Sequence, residues 1–392
     1  MNIDDRIRQR YGHRQRRRLV HDEDAISPVE HRSEPVDRGE VLEQLLDHFD
    51  PVFDGHLPSD LYVHGPAGSG KSALLTVLFD ALDRHLERAG TMIYTTTRAQ
   101  SSKAPRFVYV DSRHADSRFR LYRSLLIGLI DESVPKQGIG TDELETRIKQ
   151  HIVSQDRGII VAIDHLDEPW SMDLTDVSTM LGRFDHSLSM VGISRTRPED
   201  LDSDVDLRTV EVMNYNDQAI VDILMTRGSS GLARNAFRHS QARRIATWAD
   251  GNAHDALAAL FGAATLADTD DVEQIRDEDI DAGIDAVPRP GVSLGVVLSL
   301  PENRQRVLRE LLAIDAADRE SVTATTEAIA DTPDIDLSAG TVKRFLYELA
   351  ETGIVERVTT EATGQGRPPS RLKPRFPTLV FRRLYDLRTD RR

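Results

Sequence analysis

The 392 residues predict an α/β domain built on a parallel sheet, then a small all-helical region, then three helices closed by a basic β-hairpin. Three observations carry this. Between residues 61 and 195, short Val/Ile-rich runs alternate with amphipathic helical stretches, the pattern of a parallel sheet covered on both faces. From about Asn214 the strands stop and four helical stretches follow. Beyond 300, three more helices precede one strand and a return rich in Arg and Lys.

The bulk numbers narrow the class. A chain of this length holds two or three domains. Cys is absent, which excludes disulfides, thiolate metal sites and Cys nucleophiles. The 13 His residues form no close metal-spaced pair. No run of 18 apolar residues occurs and the N-terminus is charged from Asp4, so neither a membrane span nor a secretory signal is expected, and the location expected is cytoplasmic. The formal charge of -15 argues at first against nucleic acid, but only 6 of the 50 basic residues are Lys, set against 65 acidic ones. That balance suits a salt-rich cytoplasm, as in a halophilic archaeon. In molar salt the Debye length is about 3 Å, so global repulsion is screened and local basic clusters matter more.

Taken in order, residues 1–34 are polar and carry Arg14, Arg16, Arg17 and Arg18, which reads as a solvated arm or, more sharply, a DNA-contacting one. A base domain is expected over 35–212. It opens with a helix at 41–49, apolar at helical spacing, and a strand at 61–64. The strand feeds Gly65, Pro66, Ala67, Gly68, Ser69, Gly70, Lys71 and Ser72. The glycines let the backbone turn its N–H groups onto phosphate oxygens. Lys71 is spaced to reach the β- and γ-phosphates and Ser72 to hold Mg²⁺. The helix that follows, through 73–79 and 81–88 to Gly90, points its positive end at the anion. Chance produces this pattern in about one or two chains of this length per hundred. ATP or ADP with Mg²⁺ is therefore the expected cofactor.

Strands at 107–110, 158–164 and 190–194 follow, with helices at 120–130 and at 141–152, the latter opened by a Thr-Asp-Glu-Leu cap signal. Ligands of such sheets bind at the carboxyl ends of strands. Asp164 and Arg195 stand at two of those ends, Asp164 as the metal-holding carboxylate. A hydrolytic site also needs a base beside that acid. Here the neighbour is His165, with Asp167 and Glu168 further on, so the site reads as able to bind ATP and impaired in cleaving it.

A helical lid is expected over 213–287, a linker over 288–300 where Pro288, Pro290 and Gly291 interrupt the pattern, and a last domain over 301–392. There, Ser321 and Ser338 are placed to cap the second and third helices. The third puts Val342, Phe345, Leu346 and Leu349 inward, leaving Thr341, Lys343, Arg344, Tyr347 and Glu348 outward. A strand at 354–358 and a return bearing Arg367, Arg371, Lys373 and Arg375 complete a winged helix. In such folds the third helix enters the major groove of duplex DNA and the hairpin grips the backbone beside it.

With phosphate loop, acid-ended strand, helical lid and winged helix in this order, the chain resembles the archaeal origin-recognition and cell-division-cycle-type replication initiators, AAA+ ATPases with a C-terminal winged helix. The resemblance covers about residues 34–392. It rests on the loop Gly65 to Ser72, on Val134 to Gly138, on Asn214, Tyr215 and Asn216 with Ile223, Leu224 and Arg227, on Gly251 to Ala253, and on Gly353 and Ile354. It implies ATP-dependent binding of origin DNA, partnership with itself, related initiators and a replicative helicase, and nucleotide contacts by Tyr215 and Arg227. The departures concern hydrolysis. The family's Glu is His165, its Asn sensor is Arg195, its lid-helix Arg falls at His254, and no clear arginine finger is present, Arg208 being only a weak candidate. A divergent member that keeps ATP and has lost rapid turnover is the expectation. An ATP-gated transcription regulator and a signal-transducing ATPase with a protein-binding winged helix use the same parts and stay open.

Overall fold

The computed structural model describes residues 18–31, 36–93, 104–130, 132–168, 170–201, 207–315, 319–333, 335–359 and 370–390, which fall into two compact units. One takes in His31–Ala219 with Gly251–Ala253; the other takes in the chain up to Glu30, Ile220–Asp250 and His254–Arg392.

The first unit is a five-stranded parallel sheet in the order β2-β3-β4-β1-β5, built from β1 (Leu61–His64), β2 (Arg106–Asp111), β3 (Ile159–Asp164), β4 (Leu188–Ser194) and β5 (Arg208–Glu211). Successive side chains of a strand point to opposite faces. Here Leu61, Val63, Ile160, Ala162, Val191 and Ile193 fill one core, while Tyr62, Ile159, Val161, Ile163 and Met190 fill another. Both faces are buried, which is why these strands read as continuous apolar runs. Helices α1 (Gly39–Phe49) and α2 (Lys71–Ile93) bring Leu45, Phe49, Leu74, Leu75 and Leu78 to the first core. Helices α3 (Arg118–Leu129), α4 (Thr141–Gln155) and α5 (Leu174–Leu181) bring Leu121, Leu125, Leu144, Ile148 and Val177 to the second. The parallel register levels the carboxyl ends: Asp111 lies beside Asp164, and His64 lies between Ser194 and Glu211. Three details differ from expectation. The strand β5 and the helix α5 had no separate sequence signal. The cap of α4 is Gly140 rather than a side chain of the Thr-Asp-Glu-Leu run.

The second unit holds α6 (Asp217–Gly231, whose first turn belongs to the sheet unit), α7 (His239–Ala249), α8 (Ala253–Thr269, whose first residue does likewise) and α9 (Asp277–Asp285). Helix α8 is buried through its middle, with Ala256, Ala258, Ala259, Leu260, Ala263 and Ala264 fully buried. The winged-helix part adds α10 (Leu294–Ser299), α11 (Glu302–Ala313), α12 (Val322–Ala330), α13 (Ala339–Glu351), the antiparallel pair β6 (Val355–Thr359) and β7 (Ser370–Pro374), and α14 (Thr378–Asp390). The hydroxyls of Ser321 and Ser338 accept from the N–H groups of Ala324 and Thr341, as their positions predict.

Two expected boundaries are overturned. Residues 18–30 are no solvated arm: Leu19 and Ile26 are 1% exposed, and the backbone of Leu19 and Val20 donates to Asp268 in α8. Apolar side chains at 19, 20, 25 and 26 outweigh the basic cluster before them. Arg14, Arg16 and Arg17 lie outside the described residues. Nor is 288–300 a free linker, since α10 buries Leu294, Val296 and Val297. The two Pro residues interrupt helix periodicity without ending the packing. No helix among the described residues is long and apolar enough to cross a membrane.

Candidate nucleotide site and candidate nucleic-acid interface

The loop from Gly65 to Gly70 leaves β1 and enters α2 at Lys71. Gly65, Gly68 and Gly70 all take positive φ. At all three a side chain is also excluded by space: a Cβ on Gly65 would overlap the Val212 carbonyl, one on Gly68 Oδ1 of Asn252, and one on Gly70 the Tyr215 hydroxyl. Ala253 N–H donates to Gly68 O at 3.1 Å, and Tyr215 N–H to Gly251 O at 3.3 Å. The phosphate loop is thus wrapped by Tyr215 on one side and by the turn 251–253 on the other.

Lys71 is buried, 8% exposed, and its ammonium donates to Gly65 O at 2.7 Å and Pro66 O at 2.9 Å. Burial pulls it down to about 8, against the opposing pull of the Asp164 and Asp167 carboxylates. A cation held at such cost beside three left-handed glycines fits a polyphosphate.

Ser72, Tyr109 and Asp164 meet at the next turn. The Tyr109 hydroxyl donates to Asp164 Oδ2 and is within hydrogen-bond contact of the Ser72 hydroxyl. Burial, helped by Asp164, pushes the phenol well above its ordinary value, so it stays a donor. Asp164 is 2% exposed and accepts from its neighbour, His165 N–H, at 2.7 Å. A hydroxyl and a buried carboxylate are the hard oxygen donors Mg²⁺ prefers, and few protein ligands suit an ion that keeps waters and phosphate oxygens. Ser72 and Asp164 therefore fit the metal role.

The residues expected to act in hydrolysis are arranged differently. His165 sits at φ 65°, Nε2 3.5 Å from Asp164 Oδ2. Arg195 is committed to the acids after His165: its Nε donates to Asp167 Oδ2, its N–H to Asp167 Oδ1 at 2.9 Å, and its Nη2 lies 3.5 Å from Glu168. Burial pushes Asp167 up, but Arg195 outweighs it and the carboxyl ends below its usual value; burial prevails for Glu168, which is raised. Beside them Arg113 forks onto Asp111 at 2.6 to 3.1 Å, and the Ser112 hydroxyl donates to His165 O at 2.8 Å. The carboxyl ends of β2, β3 and β4 thus carry a closed network in which every cation has an acid.

Tyr109, Asp111 and Arg113 escaped the sequence reading, and so did a residue on the other side of the loop. Arg38, 7% exposed at the start of α1, donates to Ser69 O from Nε (3.2 Å) and Nη2 (2.7 Å), and to Met213 O at 2.9 Å. Its guanidinium stacks on Tyr215, 3.6 Å from the ring centroid. No local signal marks it, since its partners lie 31 and 175 residues away.

Two residues expected at the nucleotide lie in the second unit. Arg227 gives its guanidinium to the carbonyls of Ala25, Ser27 (2.7 Å) and Glu30 (3.0 Å), and so holds the segment 25–30. His254 lies in the first turn of α8, Nδ1 3.5 Å from Asp255, with a buried Nε2 that has no partner among the described residues. Arg208 is exposed on β5.

On the winged helix, α13 buries Val342, Phe345, Leu346 and Leu349 and leaves Lys343 and Arg344 exposed, with Thr341 and Tyr347 half-buried. In the hairpin Leu372 is buried while Arg371 and Lys373 flank it on the outer face, Lys373 opposite Glu356. Arg357 stacks 5.0 Å over Tyr347 and so ties hairpin to helix. Arg375 stands at the root of the hairpin, its Nη2 donating to Pro290 O at 3.2 Å. Arg367 lies outside the described residues.

A family model of the AAA ATPase domain matches residues 34–191. The ORC1-type DNA replication protein 1 of Sulfurisphaera tokodaii is 24% identical over 371 residues, covering 90% of this chain and 88% of that one. The structure of the Aeropyrum pernix ORC1 protein in complex with DNA superposes with a TM-score of 0.60 at 20% identity, covering 95% of this chain and 98% of that one. The Aeropyrum pernix ORC2 protein in its ADPNP-ADP complexes gives 0.54 at 14% identity, covering 94% and 98%.

Proposed function

We infer that the chain, which is similar to archaeal ORC1-type DNA replication proteins over nearly its whole length and shares their fold of an AAA ATPase domain with a C-terminal winged helix, is an ATP-dependent replication initiator that binds duplex DNA at origins. One observation carries the reading. A complete phosphate loop with a buried Lys71 and a winged helix with an exposed basic face stand in one chain, which aligns with initiators over nearly its whole length.

The N–H groups of the loop and Lys71 hold the phosphates, and Tyr215 lines the site beside Gly70. Mg²⁺, held by Ser72 and Asp164, would neutralise charge between the phosphates. Cleavage is slow in this reading, because His165 stands where a carboxylate base is needed and Arg195 is already paired with Asp167 and Glu168. Slow cleavage makes the ATP-bound state long-lived. Thr341, Lys343 and Arg344 of α13 would face the major groove, with Arg371 and Lys373 of the hairpin on the backbone. Further copies, related initiators and a replicative helicase are the protein partners this role implies.

The test is fluorescence anisotropy of labelled origin-like duplexes across a KCl series, with ATP, with ADP and without nucleotide. Expected is nucleotide-sensitive binding that Lys71→Ala desensitises and Arg371→Ala with Lys373→Ala weakens. Losing two phosphate contacts should also flatten the log-log salt slope by about 2. Turnover above about 1 per second with no DNA bound in any state would overturn the reading and favour a protein-directed ATPase.

A further inference from the structure

Arg38 is a buried cation that donates to three backbone carbonyls, Ser69, Met213 and, at 3.3 Å, Asp37. It joins the phosphate loop, at Ser69, to the segment of Met213 and Tyr215 and to its own turn at Asp37. Asp37 extends the junction, its Oδ2 accepting from Asn216 Nδ2 at 2.9 Å. The direction in which Arg38 pulls Ser69 matters. In a planar trans peptide the C=O and the following N–H point opposite ways. A Ser69 carbonyl held on the guanidinium therefore turns the Gly70 N–H to the other side of the loop. The two-point grip from Nε and Nη2 fixes that rotation, which a single ammonium contact cannot do. The same guanidinium presses on the Tyr215 ring, whose hydroxyl occupies the space where a Gly70 side chain would begin.

We propose that Arg38 is the positioning residue of the nucleotide site: it locks the Ser69 turn of the phosphate loop and the Tyr215 ring together, so that the loop donors are aimed before nucleotide arrives. The proposal rests on the nucleotide-binding reading above. Arg38 acts through Ser69 and Tyr215 and is assigned no bond to the ligand. Its loss should raise the Kd for both ADP and ATP by about tenfold, the factor expected when one further backbone unit has to be ordered on binding.

The experiment titrates mant-ADP and mant-ATP onto the full chain, as wild type, Lys71→Ala, Arg38→Met, Arg38→Lys, Tyr215→Ala and the Arg38→Met/Tyr215→Ala double variant. Met keeps the buried stem, and a thermal melt without nucleotide checks folding. Expected are a loss of about tenfold in Arg38→Met, recovery of less than half of it (in log Kd) in Arg38→Lys, and a double variant no weaker than the weaker single one within about twofold. Binding by Arg38→Met within about twofold of wild type, while Lys71→Ala loses it, overturns the proposal and leaves the nucleotide reading standing. Losses that multiply in the double variant overturn it too, since the lock to Tyr215 would then be absent. So does a lowered melting point with unchanged affinity, which marks a structural role only. A wild type that binds neither nucleotide overturns both readings.

Discussion

Raising the pH from roughly 7.5 to 9.5 should weaken nucleotide binding by about twentyfold, through Lys71. Burial has drawn this ammonium down to about 8, from an ordinary 10.5. The shift means that keeping Lys71 charged in the ligand-free fold costs about 3 kcal/mol. A bound polyphosphate reverses the imbalance, so the bound state holds the proton more tightly than the free one. The sign follows: below about 8 the ammonium is already charged and affinity is full, and above it each bound nucleotide must bring a proton with it. Affinity then falls by up to about tenfold per pH unit. Other groups leave the window clear. Phosphate itself titrates near about 6, burial pushes Tyr109 and Tyr215 up from 10.0, and burial pulls His64 down from 6.5. The assay is a mant-ADP titration at fixed ionic strength, in parallel with Lys71→Arg, whose guanidinium stays charged throughout. A wild-type affinity flat over this range would refute the argument, and so would an equal slope in Lys71→Arg.

Gly68→Ala should weaken mant-ADP binding by more than about tenfold and cost about 1–3 kcal/mol in urea unfolding, since φ is 71° and the new Cβ overlaps Asn252. Arg289→Ala should cost about 1–2 kcal/mol by the same unfolding assay, because Arg289 caps α7 at Trp248 O (2.7 Å) and Ala249 O (2.8 Å) and stacks on the Trp248 ring. Arg195→Ala should destabilise by about 1–3 kcal/mol at neutral pH, because Asp167 and Glu168 stay buried without their cation. Both carboxyls then rise above their unfolded values, so the deficit against wild type should shrink as unfolding is followed down to about pH 4.5.

Most of the architecture was legible because its signals are local. The strand Leu61–His64 and the inward set Val342, Phe345, Leu346 and Leu349 were read at their true positions, since each depends on periodicity within a dozen residues. The caps at Ser321 and Ser338 are likewise three residues from the N–H groups they satisfy. Strand β5 was missed because only Val210 of its four residues is buried, as befits an edge strand. The segment 18–30 was misread because its partner Asp268 in α8 lies 248 to 249 residues away along the chain.

Arginine shows where this kind of reading stops. A guanidinium has five donors in a rigid fork, and when buried it must find acceptors for them wherever the fold supplies these. Arg227 finds them in the carbonyls of Ala25, Ser27 and Glu30, about 200 residues earlier, and Arg375 finds one at Pro290. Spacing along the sequence cannot announce such bonds, since each of these arginines is a single charge on an otherwise ordinary helix or strand end. Arg38 is the converse case, an unremarked residue before a helix that becomes central only once the loop at Ser69 and the chain at Met213 are folded against it. Lys71 escaped this ambiguity because its acceptors, Gly65 and Pro66, lie within the same eight-residue loop that identified it. A site residue is legible, then, to the extent that its partners are its neighbours in the chain.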